Sequence, residues 1–183
     1  KARVVLTRRL SRPRYAGGMN AQDPLLDRLV AARTAAKTLA TATTAQKNAA
    51  LEAIAQHIET SITEIVAANA EDLARGRDNG LDVGLLDRLL LDETRLRGLA
   101  AAVREIIALP DPVGSVVRGS TLPNGITLAQ VRVPFGVVGA IYEARPNVTI
   151  DIAALALKSG NGAVLRGGTA AEQSNAVLVS LIQ

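Results

Sequence analysis

Two short polar clusters interrupt the apolar second half of the chain: Glu143-Ala144-Arg145-Pro146-Asn147 and Arg166-Gly167-Gly168-Thr169. Their residue types suit anion binding. Arginine offers a planar fork of donors that fits phosphate, so Arg166 beside two glycines is a candidate nucleotide contact, with a plain strand-end arginine as the rival reading. Arg145 can attract a phosphate or a carboxylate; equally, Arg145 and Glu143 can form a structural ion pair. Asn147 has the position of a polar residue at a helix N-terminus. Thr169 reads as an N-cap, as a ligand contact, or as both. Lys158 sits where a helix C-terminus favours a cation. Cys is absent, which excludes a thiolate nucleophile, a disulfide and a Cys-ligated metal within this chain. His57 is the only histidine and lies beside a helical apolar stripe, the place of a partly exposed helix residue; most zinc sites and any histidine-based triad are thereby excluded.

The segments around these clusters must position them. Val137, Val138, Ala140 and Ile141 form a short apolar run, as expected of a strand buried on both faces. Pro146 suits a first helical turn. Ile150 to Lys158 is nearly all apolar and predicts a sandwiched helix, closed by the Ser159-Gly160-Asn161-Gly162 C-cap. Ala163-Val164-Leu165 is a second strand, with the arginine and glycines at its carboxyl end. Thr169 and Glu172 have the spacing of a capping box opening another helix. The pattern is a right-handed βαβα unit, and its strand ends are where open α/β sheets bind nucleotides.

Upstream, Ser115–Arg118 and Ile126–Val133 alternate like half-exposed strands joined by a Pro123-Asn124-Gly125 turn. The segment before them reads as a helical layer. Asp23-Pro24 opens a helix and Thr43-Thr44 breaks it. Leu51, Ile54, Ile58, Ile62 and Ile65 continue one stripe, with a break near Thr60 and a Ser61–Glu64 capping box. A short helix is expected within Leu81–Leu91, and Asp92 caps a last one that Leu109-Pro110 stops. Residues 1–18 carry six basic residues and no acid. Of the 21 Lys and Arg, 15 then remain against 17 Asp and Glu, so the +4 net charge belongs to this tail and argues against a nucleic-acid-binding domain. Translation from upstream of a start at Met19, a targeting peptide and a disordered arm all fit the tail, and none gives it a fold. No apolar run approaches the roughly 20 residues of a membrane span. Nothing caps the helix after Leu181, and two strands cannot bury their own faces. The chain therefore reads as a fragment, or as a half that requires a partner. The expected organisation is a basic tail (1–18), a helical layer (19–111), a β-hairpin (112–133) and the truncated start of a Rossmann-like domain (134–183).

The run VPFGVVGAIYEARPNVTIDIAALALKSGNGAVLRGG resembles the gamma-glutamyl phosphate reductase family of the aldehyde dehydrogenase superfamily, as do AANAEDLARGRDNGL, LLDRLLLDETRLRGLA and LPDPVG. The resemblance covers about Asp23 to Gln183. It implies the α/β fold of that superfamily: a nucleotide-binding domain, a catalytic domain bearing a cysteine, and a hairpin used for oligomerisation. It implies NADPH-dependent reduction of L-glutamyl 5-phosphate to the semialdehyde in proline biosynthesis, a cytoplasmic location and a homo-oligomer for the complete protein, without nucleic acid or membrane. The superfamily's cysteine and its later glycine-containing pyrophosphate loop are missing here. Arg166, Gly167, Gly168 and Thr169 are the implied cofactor contacts. Superfamily members commonly have lysine at the Arg166 position and a carboxylate three residues later. Here Thr169 replaces that carboxylate, the pattern that accommodates a 2′-phosphate and hence NADP(H). Glu143 and Arg145 are the implied substrate contacts and Asn147 an oxyanion donor, although ungapped register brings the superfamily asparagine to Arg145. A non-catalytic module that binds only nucleotide or a partner subunit is the alternative.

Overall fold

The computed structural model describes residues 5–6 and 24–182. Val5–Leu6 forms a short strand, β1. Helices follow at Pro24–Leu39 (α1), Thr44–Thr60 (α2), Ile62–Asp78 (α3), Val83–Leu89 (α4) and Glu93–Ala108 (α5). The expected Asp23 cap of α1 lies outside the described residues. Thr43 does more than break the chain. Its hydroxyl accepts from the Gln46 N–H (3.2 Å) while the Gln46 side chain accepts from the Thr43 N–H (2.9 Å), a complete capping box. The box expected at Ser61 and Glu64 does not form. The Ser61 N–H closes α2 onto the His57 carbonyl, which leaves Ser61 at φ −107°, ψ 17° rather than in the extended geometry an N-cap needs. Asp92 caps α5 as expected, accepting from the Arg95 N–H at 2.8 Å. Leu51, Ile58 and Ile65 are fully buried against Leu96, Ala100 and Val103 of α5, so the predicted stripe is the core of the helical layer.

Strands Val116–Thr121 (β2) and Thr127–Val131 (β3) pair antiparallel. Within the Pro123-Asn124-Gly125 turn only Gly125 takes positive φ (+85°), with the Leu122 carbonyl accepting from its N–H at 2.9 Å. The hairpin is exposed along both strands, not half-exposed, because β2 and β3 pair only with each other among the described residues. Val137–Tyr142 (β4), Asn147–Lys158 (α6) and Gly162–Gly167 (β5) form the predicted parallel pair with its connecting helix, in register from Val137↔Gly162 to Tyr142↔Gly167. β4 is not buried on both faces: Ile141 is 77% exposed. A 3₁₀ turn at Thr169–Ala171 then leads into α7, Glu172–Leu181.

β1 lies parallel along the other edge of β5, giving the sheet order β1-β5-β4. This corrects the reading of residues 1–18 as a tail without a fold. Two apolar residues are too few to show a period in sequence, yet they suffice to extend an open ladder edge. The rest of that tail lies outside the described residues.

α6 is buried at Ala153, Ala154, Ala156 and Leu157, while Leu155 on its other side is 52% exposed, so the sandwich covers most of the helix and not all. It ends as expected, with Gly160 at φ +73°. Lys158 is 3% exposed and donates to Asn48 Oδ1 (2.8 Å) and the Ile107 carbonyl (2.9 Å), so it bridges helices instead of facing solvent at a helix end. His57 is exposed, its Nδ1 3.0 Å from the Leu181 carbonyl.

Candidate functional site

Because Tyr142 pairs with Gly167, the chain leaves β4 and β5 side by side, and Glu143 meets Gly168. A Cβ on Gly168 would stand 3.2 Å from the Glu143 Cα, so a larger residue there would press the two strand ends apart by a few tenths of an ångström. On Gly167, a Cβ would collide with the side-chain amide nitrogen of Asn175 from α7. A cleft of about 820 Å³ opens at these strand ends, lined by Glu143, Arg166, Gly167, Gly168, Thr169 and Asn175 among others. The Arg166 side chain is exposed and has no hydrogen bond or ion pair with any described residue.

The loop is held from below. Thr169 and Glu172 do not form a capping box: no side chain of the turn caps α7. Fully buried Asp72 of α3 takes that role, accepting from the N–H groups of Gln173 (3.1 Å) and Ser174 (2.8 Å) and from the Ser174 hydroxyl (2.7 Å). A carboxylate at a helix N-terminus satisfies orphan donors and complements the dipole. Arg75 pairs with Asp72 and donates to the Thr169 carbonyl (3.1 Å), so the helical layer fixes the glycine loop directly. Asn69, also buried, donates to Ser174 Oγ (3.0 Å) and the Leu89 carbonyl (2.8 Å).

A second recess holds the remaining candidates. Arg145 and Asn147 line it with Asp151 and residues of α4 and α5. Asn147 donates to Asp151 Oδ2 at 3.1 Å. Burial pushes the Asp151 carboxyl above its ordinary range, and the Asn147 bond partly offsets this. No ion pair joins Arg145 to Glu143 among the described residues; the Arg145 N–H donates to the Glu143 carbonyl instead (2.8 Å). Glu143 therefore lies with the Arg166 group, while Arg145 and Asn147 lie in the other recess.

Sequence reading missed Asp72, Arg75 and Asn175. Asn69 and Asp72 carried a signal: with Ile65 and Gly76 they occupy the inward stripe of α3, and polar residues at core spacing must be bonded. Among the described residues no group of three or more His, Asp or Glu could hold a metal ion.

No family model matches the chain. It is 65% identical over 159 residues to the gamma-glutamyl phosphate reductase of Leifsonia xyli subsp. xyli, covering 87% of this chain and 38% of that protein. A Vibrio cholerae gamma-glutamyl phosphate reductase is 58% identical over 153 residues, covering 84% and 37%. The crystal structure of the Thermotoga maritima gamma-glutamyl phosphate reductase superposes with a TM-score of 0.84 at 42% identity, over 87% of this chain and 39% of that one. The chain belongs to the gamma-glutamyl phosphate reductase family. It spans under two fifths of the length of these curated relatives. A putative aldehyde dehydrogenase from Bacillus subtilis shares the fold at a TM-score of 0.64 and 20% identity. Over the part compared, the chain therefore has the mixed α/β fold of aldehyde dehydrogenase structures. No described helix is long and apolar enough to cross a membrane.

Proposed function

We propose that this chain holds NADP(H) for the reduction of L-glutamyl 5-phosphate to L-glutamate 5-semialdehyde, a step of proline biosynthesis; its relatives are named for the reduction of gamma-glutamyl phosphate. The observation that carries this reading is the cleft at the carboxyl ends of β4 and β5. One guanidinium of its lining, on Arg166, has no partner among the described residues, and position 169 is a threonine where a carboxylate would repel a 2′-phosphate. When bound, NADPH supplies the hydride. The residues of this chain bind and orient. Arg166 clamps the 2′-phosphate, and the loop from Gly167 to Thr169 fits the cofactor against the strand ends. Arg145 attracts the anionic substrate into the second recess. Asn147 has two amide hydrogens, one of which Asp151 takes, so the other can meet an oxyanion. The acyl-transfer step requires a thiolate, and this chain has no cysteine, so alone it binds cofactor without turning over acyl phosphate. The complete protein acts in the cytoplasm as a homo-oligomer.

Calorimetry with NADPH and NADH tests this. The chain is expected to prefer NADPH, and Arg166→Ala to remove about tenfold or more of that preference, the worth of a charge-assisted fork. Unchanged discrimination would assign Arg166 to the surface and overturn the reading.

A further inference from the structure

Asn175 is 2% exposed, yet it lines the cleft. Its Oδ1 accepts from Thr149 Oγ1 at 2.7 Å. That bond uses the only hydroxyl proton of Thr149, so Tyr142, 2.5 Å away, must donate to Thr149 Oγ1. In this arrangement Oδ1 of the Asn175 amide faces Thr149 and Nδ2 faces Gly167. That nitrogen points at the Cα of Gly167, into the space a Cβ would fill. Nδ2 has no hydrogen-bond partner among the described residues, and among them no fully buried side-chain nitrogen or oxygen lacks one. The nitrogen therefore opens onto the cleft. Strand alternation places Arg166 and Gly167 on opposite faces of β5, so the guanidinium and the amide approach the cleft from two sides.

We infer that Asn175 is a ligand-binding residue whose Nδ2 donates a hydrogen bond, past Gly167, to a ribose or phosphate oxygen of the dinucleotide. This rests on the reading of the cleft as the cofactor site. It gives Gly167 a second purpose: the missing side chain is the window through which the amide reaches ligand. An asparagine held by a two-member relay is already oriented before ligand arrives, so little freedom is lost on binding.

Asn175→Asp keeps the acceptor for Thr149 and the shape beside Gly167, but replaces the donor with an acceptor oxygen. In calorimetry with NADPH this variant is expected to bind about tenfold or more weaker than the parent chain. The side-chain NH₂ resonances of Asn175 in the parent chain, which need no variant, are expected to shift on NADPH titration. Binding by the parent with Asn175 resonances unmoved, or Asn175→Asp binding equally well, overturns the inference and leaves the cofactor reading standing. No binding of NADPH by the parent chain overturns the cofactor reading, and this inference with it.

Discussion

Asp151 and Asp111 are carboxylates partly withdrawn from water, and their surroundings drive them in opposite directions. Burial pushes the Asp111 carboxyl up, but bonds from Lys47 (2.5 Å), the Val113 N–H (3.0 Å) and the Thr44 hydroxyl (2.8 Å) together hold it below its ordinary value. Folding therefore favours its ionised form, a contribution present above the unfolded pKa and lost as pH falls through the folded one. At Asp151 burial wins over the single Asn147 bond and the carboxyl is raised. Folding then disfavours the ionised form, so this residue weakens stability at neutral pH and the effect is relieved as pH falls through the raised pKa. Asp151→Asn, which keeps an acceptor for Asn147, is expected to raise the melting temperature at pH 7. The gain should vanish below the ordinary carboxylate value of about 3.9. A lower melting temperature at pH 7 would show that the charge is satisfied by Arg145 or another cation of that recess.

One buried carboxylate, Asp72, makes most of the hydrogen bonds that join α3 to α7. Asp72→Ala would strand two N–H groups and a hydroxyl at the start of α7 and leave Arg75 without its partner. Removing one side of such a network costs about 3–5 kcal/mol. The lower end is expected, because Arg75 is 37% exposed and can be rehydrated. Urea denaturation measures this, and a loss below about 1 kcal/mol would mean that water replaces the carboxylate. The same pair of helices marks how far local sequence carries. β4, α6, β5 and the Gly160 cap were legible, since apolar runs and a positive-φ glycine are local signals. The Thr169–Glu172 spacing misled because Asp72, 101 positions before Gln173, supplies the cap. Ser61 misled because one residue ends α2 and begins α3. The candidate residues follow the ends of β4 and β5, but their division into two recesses depends on how α4, α5 and α7 pack, which spacing does not encode.

At the scale of the whole molecule, two recesses among the described residues differ in their lining. The hairpin and its root expose Val116, Ile126, Val133 and Phe135, the last 94% exposed, and an apolar groove runs from Phe135 to Leu155 on α6. The cleft at the strand ends lies elsewhere, with arginine, glutamate and glycine on its walls. The groove is the better shape for an apolar surface, and the cleft for an anionic ligand whose oxygens need donors. Backbone and side-chain NMR shifts of the ¹⁵N-labelled chain during titration with NADPH tell the two recesses apart. Shifts are expected at Glu143, Arg166 to Thr169 and Asn175, with Phe135 and Leu155 unmoved. Shifts centred on Phe135 and Leu155, or none at all at millimolar NADPH, would contradict the account.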